Sequence, residues 1–213
     1  MFVLEEINSI GNQFIAELRD ITIQRDRLRF RKNLERIGEI LAYEISKSFP
    51  YQEKEIQTPL ANTKIKTPSI DPVIFAVLRA SIPFYQGFLN FFDRAESGFI
   101  GAFREEGSNE VAINLGYHAS PNLEGKTVIL ADPMLATGKS FVRSIETILT
   151  HGTPEIIHIV AIIASPEGVK YIKENVKVPY KLWLGALDLS LNEKFYIVPG
   201  LGDAGDLAFG EKI

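Results

Sequence analysis

The chain has 213 residues, 46% hydrophobic and 23% charged, with a formal net charge of -4, which suits one folded domain and excludes the low-apolar, high-charge pattern of disorder. Its acidic balance, with a pI near 5.5, argues against nucleic acid or anionic membranes as general partners but leaves room for a local positive site that takes a small anion. The absence of cysteine excludes disulfides, thiolate nucleophiles and sulfur-ligated metals.

No basic segment followed by an apolar run opens the chain, and no uncharged apolar stretch approaches about 18 residues, so the expected compartment is the cytoplasm, with no membrane partner. Residues 2–18 carry apolar positions at mixed three- and four-residue intervals, which predicts a short irregular helix or arm. The charged stretch 18–27 reads either as a solvated linker or as a segment near a ligand or partner subunit. Phe30, Leu34, Ile37, Leu41 and Ile45 then recur at helical spacing and predict a helix over 29–48.

The polar stretch from Pro50 to Pro72 predicts an extended excursion or paired edge strands. Val73-Ile74-Phe75-Ala76-Val77-Leu78 is an unbroken apolar run ending at Arg79, the pattern of a strand buried on both faces. A helix over 82–92 follows, with Pro83 tolerated in its first turn, then a strand over 99–103 and a polar loop over 104–110. The rhythm repeats with a strand over 127–131, a helix over 140–150, a strand over 156–164, a helix over 166–175 and a strand over 181–187. Such alternation predicts an α/β domain with a parallel sheet. The tail, 188–213, has little periodicity and many Gly and Asp residues.

In parallel sheets ligands sit beyond the carboxyl ends of strands, and the loop Asp132-Pro133-Met134-Leu135-Ala136-Thr137-Gly138-Lys139-Ser140 occupies that position. A tight turn at 136–138, with Ser140 capping or beginning the next helix, can cradle a phosphate monoester through backbone N–H groups and the helix terminus. Gly138-Lys139-Ser140 imitates the end of a nucleoside-triphosphate loop, but that motif needs glycine at 133, where this chain has proline. Asp132 is either a turn residue or N-cap, or a carboxylate that accepts hydrogen bonds from two vicinal ribose hydroxyls.

Arg79 and Arg104 both follow candidate strands. Either can be a solvated surface group, but their common placement suits a diphosphate, which needs permanently charged, multi-donor partners. Arg104 also sits in a segment able to close over a substrate. The tail Ile197-Val198-Pro199-Gly200-Leu201-Gly202-Asp203-Ala204-Gly205-Asp206 lacks a calcium-loop pattern and fits better as a glycine-shaped wall against a flat ligand. His118, His151 and His158 show no metal spacing.

On these residues the chain resembles the uracil phosphoribosyltransferases over nearly its whole length. The loop from Asp132 to Gly138 is similar to that family's phosphoribosyl-diphosphate loop. Tyr196 through Asp206 is equally characteristic, and Leu18-Arg19-Asp20, Leu78-Arg79-Ala80 and Ala164-Ser165-Pro166-Glu167-Gly168 fall in the expected order. The resemblance implies a single domain over 1–213 of the α/β, parallel-sheet phosphoribosyltransferase type, with an N-terminal helical arm and a C-terminal base-binding segment. It further implies transfer of a phosphoribosyl group to uracil, giving uridine monophosphate, with magnesium carried mainly on the phosphoribosyl diphosphate and with a homodimer or larger homo-oligomer.

By the same resemblance Arg79 and Arg104 would bind the diphosphate. Asp132, Pro133, Met134, Leu135, Ala136, Thr137, Gly138, Lys139 and Ser140 would hold ribose and 5'-phosphate. Ile197, Gly202, Asp203 and Ala204 would recognise uracil through backbone groups, with Asp203 also near the sugar or its magnesium shell. The chain departs from the family's usual Gly at 139 (Lys), Gly at 81 (Ser), Arg at 207 (Leu) and Thr at 211 (Glu). Two rival readings are a catalytically silent or regulatory protein that binds the same ligands, and a phosphotransferase built on the Lys139 loop.

Overall fold

The computed structural model describes residues 1–101 and 118–211. Along the chain run β1 (Phe2–Val3), α1 (Ile10–Arg19), α2 (Arg27–Ser46), β2 (Tyr51–Gln57), β3 (Asn62–Pro68), β4 (Val73–Leu78), α3 (Ile82–Leu89), β5 (Glu96–Gly101) and β6 (His118–Ala119). They are followed by β7 (Thr127–Ala131), β8 (Met134–Leu135), α4 (Lys139–Ile148), β9 (Ile156–Ala164), α5 (Pro166–Asn175), β10 (Tyr180–Leu187), β11 (Ser190–Leu191), β12 (Ile197–Val198) and α6 (Ala204–Phe209).

The main sheet has the order β1-β10-β9-β7-β4-β5-β6, with β8 added beside β9. Every pairing in it is parallel except β5 with β6. Because side chains alternate across a strand, β4 sends Ile74 and Ala76 into one apolar cluster with α1, α2 and α3. Val73, Phe75 and Val77 go to the opposite face, against α4 and α5. Helices cover both sides, which is why β4, β7 and β9 are continuous apolar runs rather than alternating ones.

The helices start where the sequence supplies acceptors. Ser9 accepts from the Gly11 N–H at 3.2 Å, Asp26 from Arg29 at 3.1 Å and Ser165 from Gly168 at 2.9 Å, each satisfying an amide with no helical partner. The helical face Phe30, Leu34, Ile37, Leu41 and Ile45 is fully buried. The expected α/β parallel-sheet architecture, with N-terminal helices and C-terminal strand and helix elements, is the one observed.

Some details differ from the sequence-based expectation. The N-terminal arm contributes β1, a parallel edge strand beside β10. Ser140 lies one residue inside α4, and the N-cap is Gly138 in the left-handed conformation. The stretch after Pro50 does form the paired strands expected of it, a hairpin in which β2 and β3 pair only with each other, with nearly every residue exposed. The tail contains the small antiparallel pair β11–β12 and the short helix α6. No helix among the described residues is long and apolar enough to cross a membrane.

Candidate functional site

After β4 the chain steps to β5 on one side of the sheet, then reverses to β7 on the other. The carboxyl ends of β4 and β7 therefore flank a crevice at the point where strand order reverses, the standard place for a ligand in such sheets. A cavity of about 540 Å³ opens there, within the range of small-molecule sites. Arg79 and Ala80 line it from the end of β4. Asp132, Met134, Ala136 and Ser140 line it from the β7–α4 connection.

The third wall is the tail, where Ile197, Gly202, Asp203, Ala204 and Gly205 face the same space, with Phe195 and Tyr196 beside them. Of the expected site residues, Pro133, Leu135, Thr137, Gly138 and Lys139 do not line the cavity. Arg104 lies outside the described residues.

The loop 132–138 is held from behind. The Pro133 carbonyl accepts from the Ile162 and Ile163 N–H groups at 3.0 Å each, and the Leu135 carbonyl accepts from Ser165 N–H at 3.0 Å. The buried Ser165 hydroxyl donates to the Ala136 carbonyl at 2.6 Å while accepting from Gly168 N–H. These contacts explain the Ser165-Pro166-Glu167-Gly168 segment, which caps α5 and buttresses the site loop in the same few residues.

Glycine is required at two places in this buttress. Gly138 has φ of +79°, and a Cβ on Gly168 would lie 2.3 Å from the Ala136 carbonyl oxygen, a spacing no side chain tolerates. Asp132 plays the turn role, with Oδ1 accepting from Met134 N–H at 3.1 Å, and also faces the cavity. Both readings of that residue are thus compatible with one geometry.

Arg79 crosses from the sheet to the tail. Its Nη2 donates to Asp206 Oδ1 and to the Gly210 carbonyl, both at 2.9 Å. Its Nε is buried and has no hydrogen-bond partner among the described residues. Asp203 caps α6 by accepting from Asp206 N–H at 3.0 Å, so the tail carboxylates are tied to one another and to Arg79.

A second clamp was not anticipated. Buried Asp188 receives both arms of Arg19, at 2.6 and 2.9 Å, and the N–H of Gly200 at 2.7 Å. Arg19 Nη1 also donates to the Gly200 carbonyl at 3.2 Å. The start of the tail loop is thereby pinned to α1 and to the end of β10. An aspartate directly after an apolar strand, together with the charged Leu18-Arg19-Asp20 segment, was the available signal; pairing across this sequence distance was not readable.

The departures at 81 and 139 fit without backbone strain. Ser81 is fully buried with a φ of -74°, and its hydroxyl donates to the Val77 carbonyl at 2.5 Å. Lys139 is exposed at the first position of α4 and does not have a positive φ. Leu207 packs against the core cluster that includes α2 and α3.

Comparison with known proteins agrees with this geometry. The model of the family described as uracil phosphoribosyltransferase matches residues 10–211. A uracil phosphoribosyltransferase of Porphyromonas gingivalis is 46% identical over 207 residues, covering 97% of this chain and 96% of that protein. One from Pyrococcus furiosus is 39% identical over 205 residues, covering 94% and 86%. A solved structure of an Aquifex aeolicus protein superposes with a TM-score of 0.87 at 33% identity, covering 100% of both chains. With family model, relatives and fold in agreement over almost the full length, this chain belongs to the uracil phosphoribosyltransferase family.

Proposed function

We propose that this chain transfers the phosphoribosyl group of 5-phospho-α-D-ribose 1-diphosphate to N1 of uracil, giving uridine monophosphate and diphosphate in pyrimidine salvage. The observation that carries the reading is that Arg79, the loop after β7 and the glycine-rich tail share one cavity at the reversal of strand order. Each wall suits one part of the reacting pair.

The N-cap Gly138 has no side chain to cap α4 and Thr137 Oγ1 accepts from Lys139 N–H at 3.4 Å; the following amides of the first turn and the positive helix end suit the 5'-phosphate. Ser140 adds a hydroxyl beside it, and Asp132 suits the ribose hydroxyls. Arg79, whose buried Nε has no partner among the described residues, suits the diphosphate; Arg104 is proposed as its second cation. Backbone groups of Ile197, Gly202 and Ala204 suit the uracil edge, and Asp203 the sugar.

The bond from uracil N1 to the anomeric carbon forms as the bond from that carbon to diphosphate oxygen breaks, and the N1 proton is released. Positive charge develops on the ribose ring and negative charge on the leaving group, so fixed charges carry the catalysis and no side-chain nucleophile is needed. Among the described residues no group of three or more acidic or histidine side chains forms a metal cage. Two cavity carboxylates, Asp132 and Asp203, fit a magnesium ion that arrives on the substrate, since magnesium binds through one or two carboxylates plus phosphate oxygens. When bound it would neutralise charge on the departing diphosphate.

A cytoplasmic enzyme assembled as a homodimer or larger homo-oligomer completes the proposal. The isolated hairpin β2–β3 supports assembly, because two strands alone are marginal in water. Competition between bases tests the assignment. Cytosine reverses the donor and acceptor pattern at two positions, and each buried mismatch costs about 1–3 kcal/mol. Its catalytic efficiency is expected to fall at least about 30-fold below that of uracil; equal efficiencies would remove the base assignment.

A further inference from the structure

Phe195 is the non-glycine residue with a positive φ, +60°, among the described residues. An L-residue with a bulky side chain occupies that region at a steric cost that glycine or asparagine avoids. The turn that holds it is over-determined. The Asn192 N–H donates to the Tyr196 carbonyl at 2.8 Å and the Phe195 N–H to the Asn192 carbonyl at 2.9 Å. Asn192 Oδ1 accepts from both Lys194 and Tyr196 N–H at 2.9 Å.

Core packing does not compensate this cost. Phe195 is 42% exposed and is a member of neither apolar cluster. It does line the cavity, immediately before Tyr196 and Ile197 in the tail wall. A costly backbone, held by a dedicated turn at a residue that lines a ligand cavity and belongs to neither core cluster, is the signature of a residue retained for the site.

We propose that Phe195 is a base-binding residue, whose ring supplies an apolar wall against the planar base while taking no part in holding the phosphoribosyl group. This rests on the functional reading above for the identity of the base. In that role Phe195 contributes to affinity for the base and its nucleotide, and its removal leaves the sugar-phosphate contacts intact.

The test compares wild type with Phe195→Asn, Phe195→Gly and Phe195→Tyr. Thermal unfolding is measured alongside equilibrium binding of uridine monophosphate and of ribose 5-phosphate, and KM for each substrate. The Asn variant is expected to be at least as stable as wild type, because asparagine tolerates the left-handed backbone. Its affinity for uridine monophosphate and its KM for uracil should worsen about 3- to 10-fold, the worth of one aromatic contact. Ribose 5-phosphate affinity should not move, and Tyr should retain wild-type values.

A less stable Asn variant with unchanged nucleotide affinity would make Phe195 a packing residue and overturn the proposal. So would equal losses for nucleotide and ribose 5-phosphate, or no nucleotide binding by the wild type. Failure of the functional reading is seen separately, as wild-type protein that binds uridine monophosphate yet forms none from uracil.

Discussion

Arg79 Nη2 donates to Asp206 Oδ1 at 2.9 Å, joining the carboxyl end of β4 to α6 across 127 residues of sequence. Both side chains are about one-third exposed, so the pair adds little stability, about 0.2–1 kcal/mol. Its significance is competition, because the cation proposed to meet the diphosphate is engaged by a tail carboxylate. Asp206→Asn is expected to fold normally and to lower KM for phosphoribosyl diphosphate by up to about fivefold, whereas Arg79→Ala should raise it and reduce turnover. Initial rates at varied phosphoribosyl diphosphate decide this. A raised KM in Asp206→Asn would mean that the aspartate orients Arg79 instead of competing for it.

The Arg19–Asp188 clamp has a different energetic character. Asp188 is buried and bonded to two partners, one of them in the tail loop, so removing its carboxylate strands the Gly200 amide and leaves Arg19 with the Gly200 carbonyl and the more distant Glu5. Asp188→Ala is expected to destabilise the fold by about 3–5 kcal/mol and, in the fraction that folds, to raise KM for uracil more than KM for phosphoribosyl diphosphate. Urea unfolding and steady-state kinetics check the two parts. Equal effects on both substrates would detach the clamp from the base segment.

Two groups contribute to the acid limb of stability in adjoining windows. Burial, with a smaller contribution from Lys181, pushes His158 down to about 4 from 6.5, and its Nδ1 accepts the Trp183 indole N–H at 2.9 Å. The unfolded chain therefore protonates first as pH falls below 6.5. The stability associated with neutral His158 is present above 6.5 and is lost by about pH 4, to the extent of about 3 kcal/mol.

Glu17 is held near 2, below its ordinary 4.5, chiefly by hydrogen bonds from Arg29, then Gln13 and Asn33. Its contribution is present above pH 4.5 and is lost as pH falls toward 2. Unfolding free energy against pH should fall through both windows. His158→Asn should flatten the upper one and Glu17→Gln the lower; an unchanged profile in either variant would assign that window to other groups.

Lys139 begins α4 without a positive φ, so glycine there relieves no strain and is expected to be slightly destabilising through its greater backbone freedom. The lysine is exposed and outside the cavity lining, which leaves long-range attraction of the phosphates as its expected contribution. KM for phosphoribosyl diphosphate should rise moderately in Lys139→Gly and further in Lys139→Glu, with the Glu penalty shrinking at high salt. Tighter binding and faster turnover in the Gly variant would instead identify the lysine as an impairment.

Much of this was legible before any coordinates. The buried run at 73–78, the helical face from Phe30 to Ile45 and the alternation of strands with helices depend on local periodicity, and the structure follows them closely. The cavity residues Arg79 and Asp132 were legible because they stand at strand ends, and Asp203 because it lies in a recognisable motif. Long-range features were not. β8 is two residues long and exists only through its pairing with β9, and Asp188 becomes meaningful only when α1 brings Arg19 to it. Phe195 was invisible because a positive φ at a non-glycine residue has no signature in composition or spacing.

The most direct test of the central claim is a reaction with labelled uracil, phosphoribosyl diphosphate and magnesium, with uridine monophosphate and diphosphate both quantified and each component omitted in turn. Equal amounts of the two products are expected, with none when phosphoribosyl diphosphate or the divalent metal is left out. Saturable ligand binding without turnover would contradict the claim and make the chain a silent binder. Product formation that consumes a nucleoside triphosphate would assign the Lys139 loop to phosphotransfer instead.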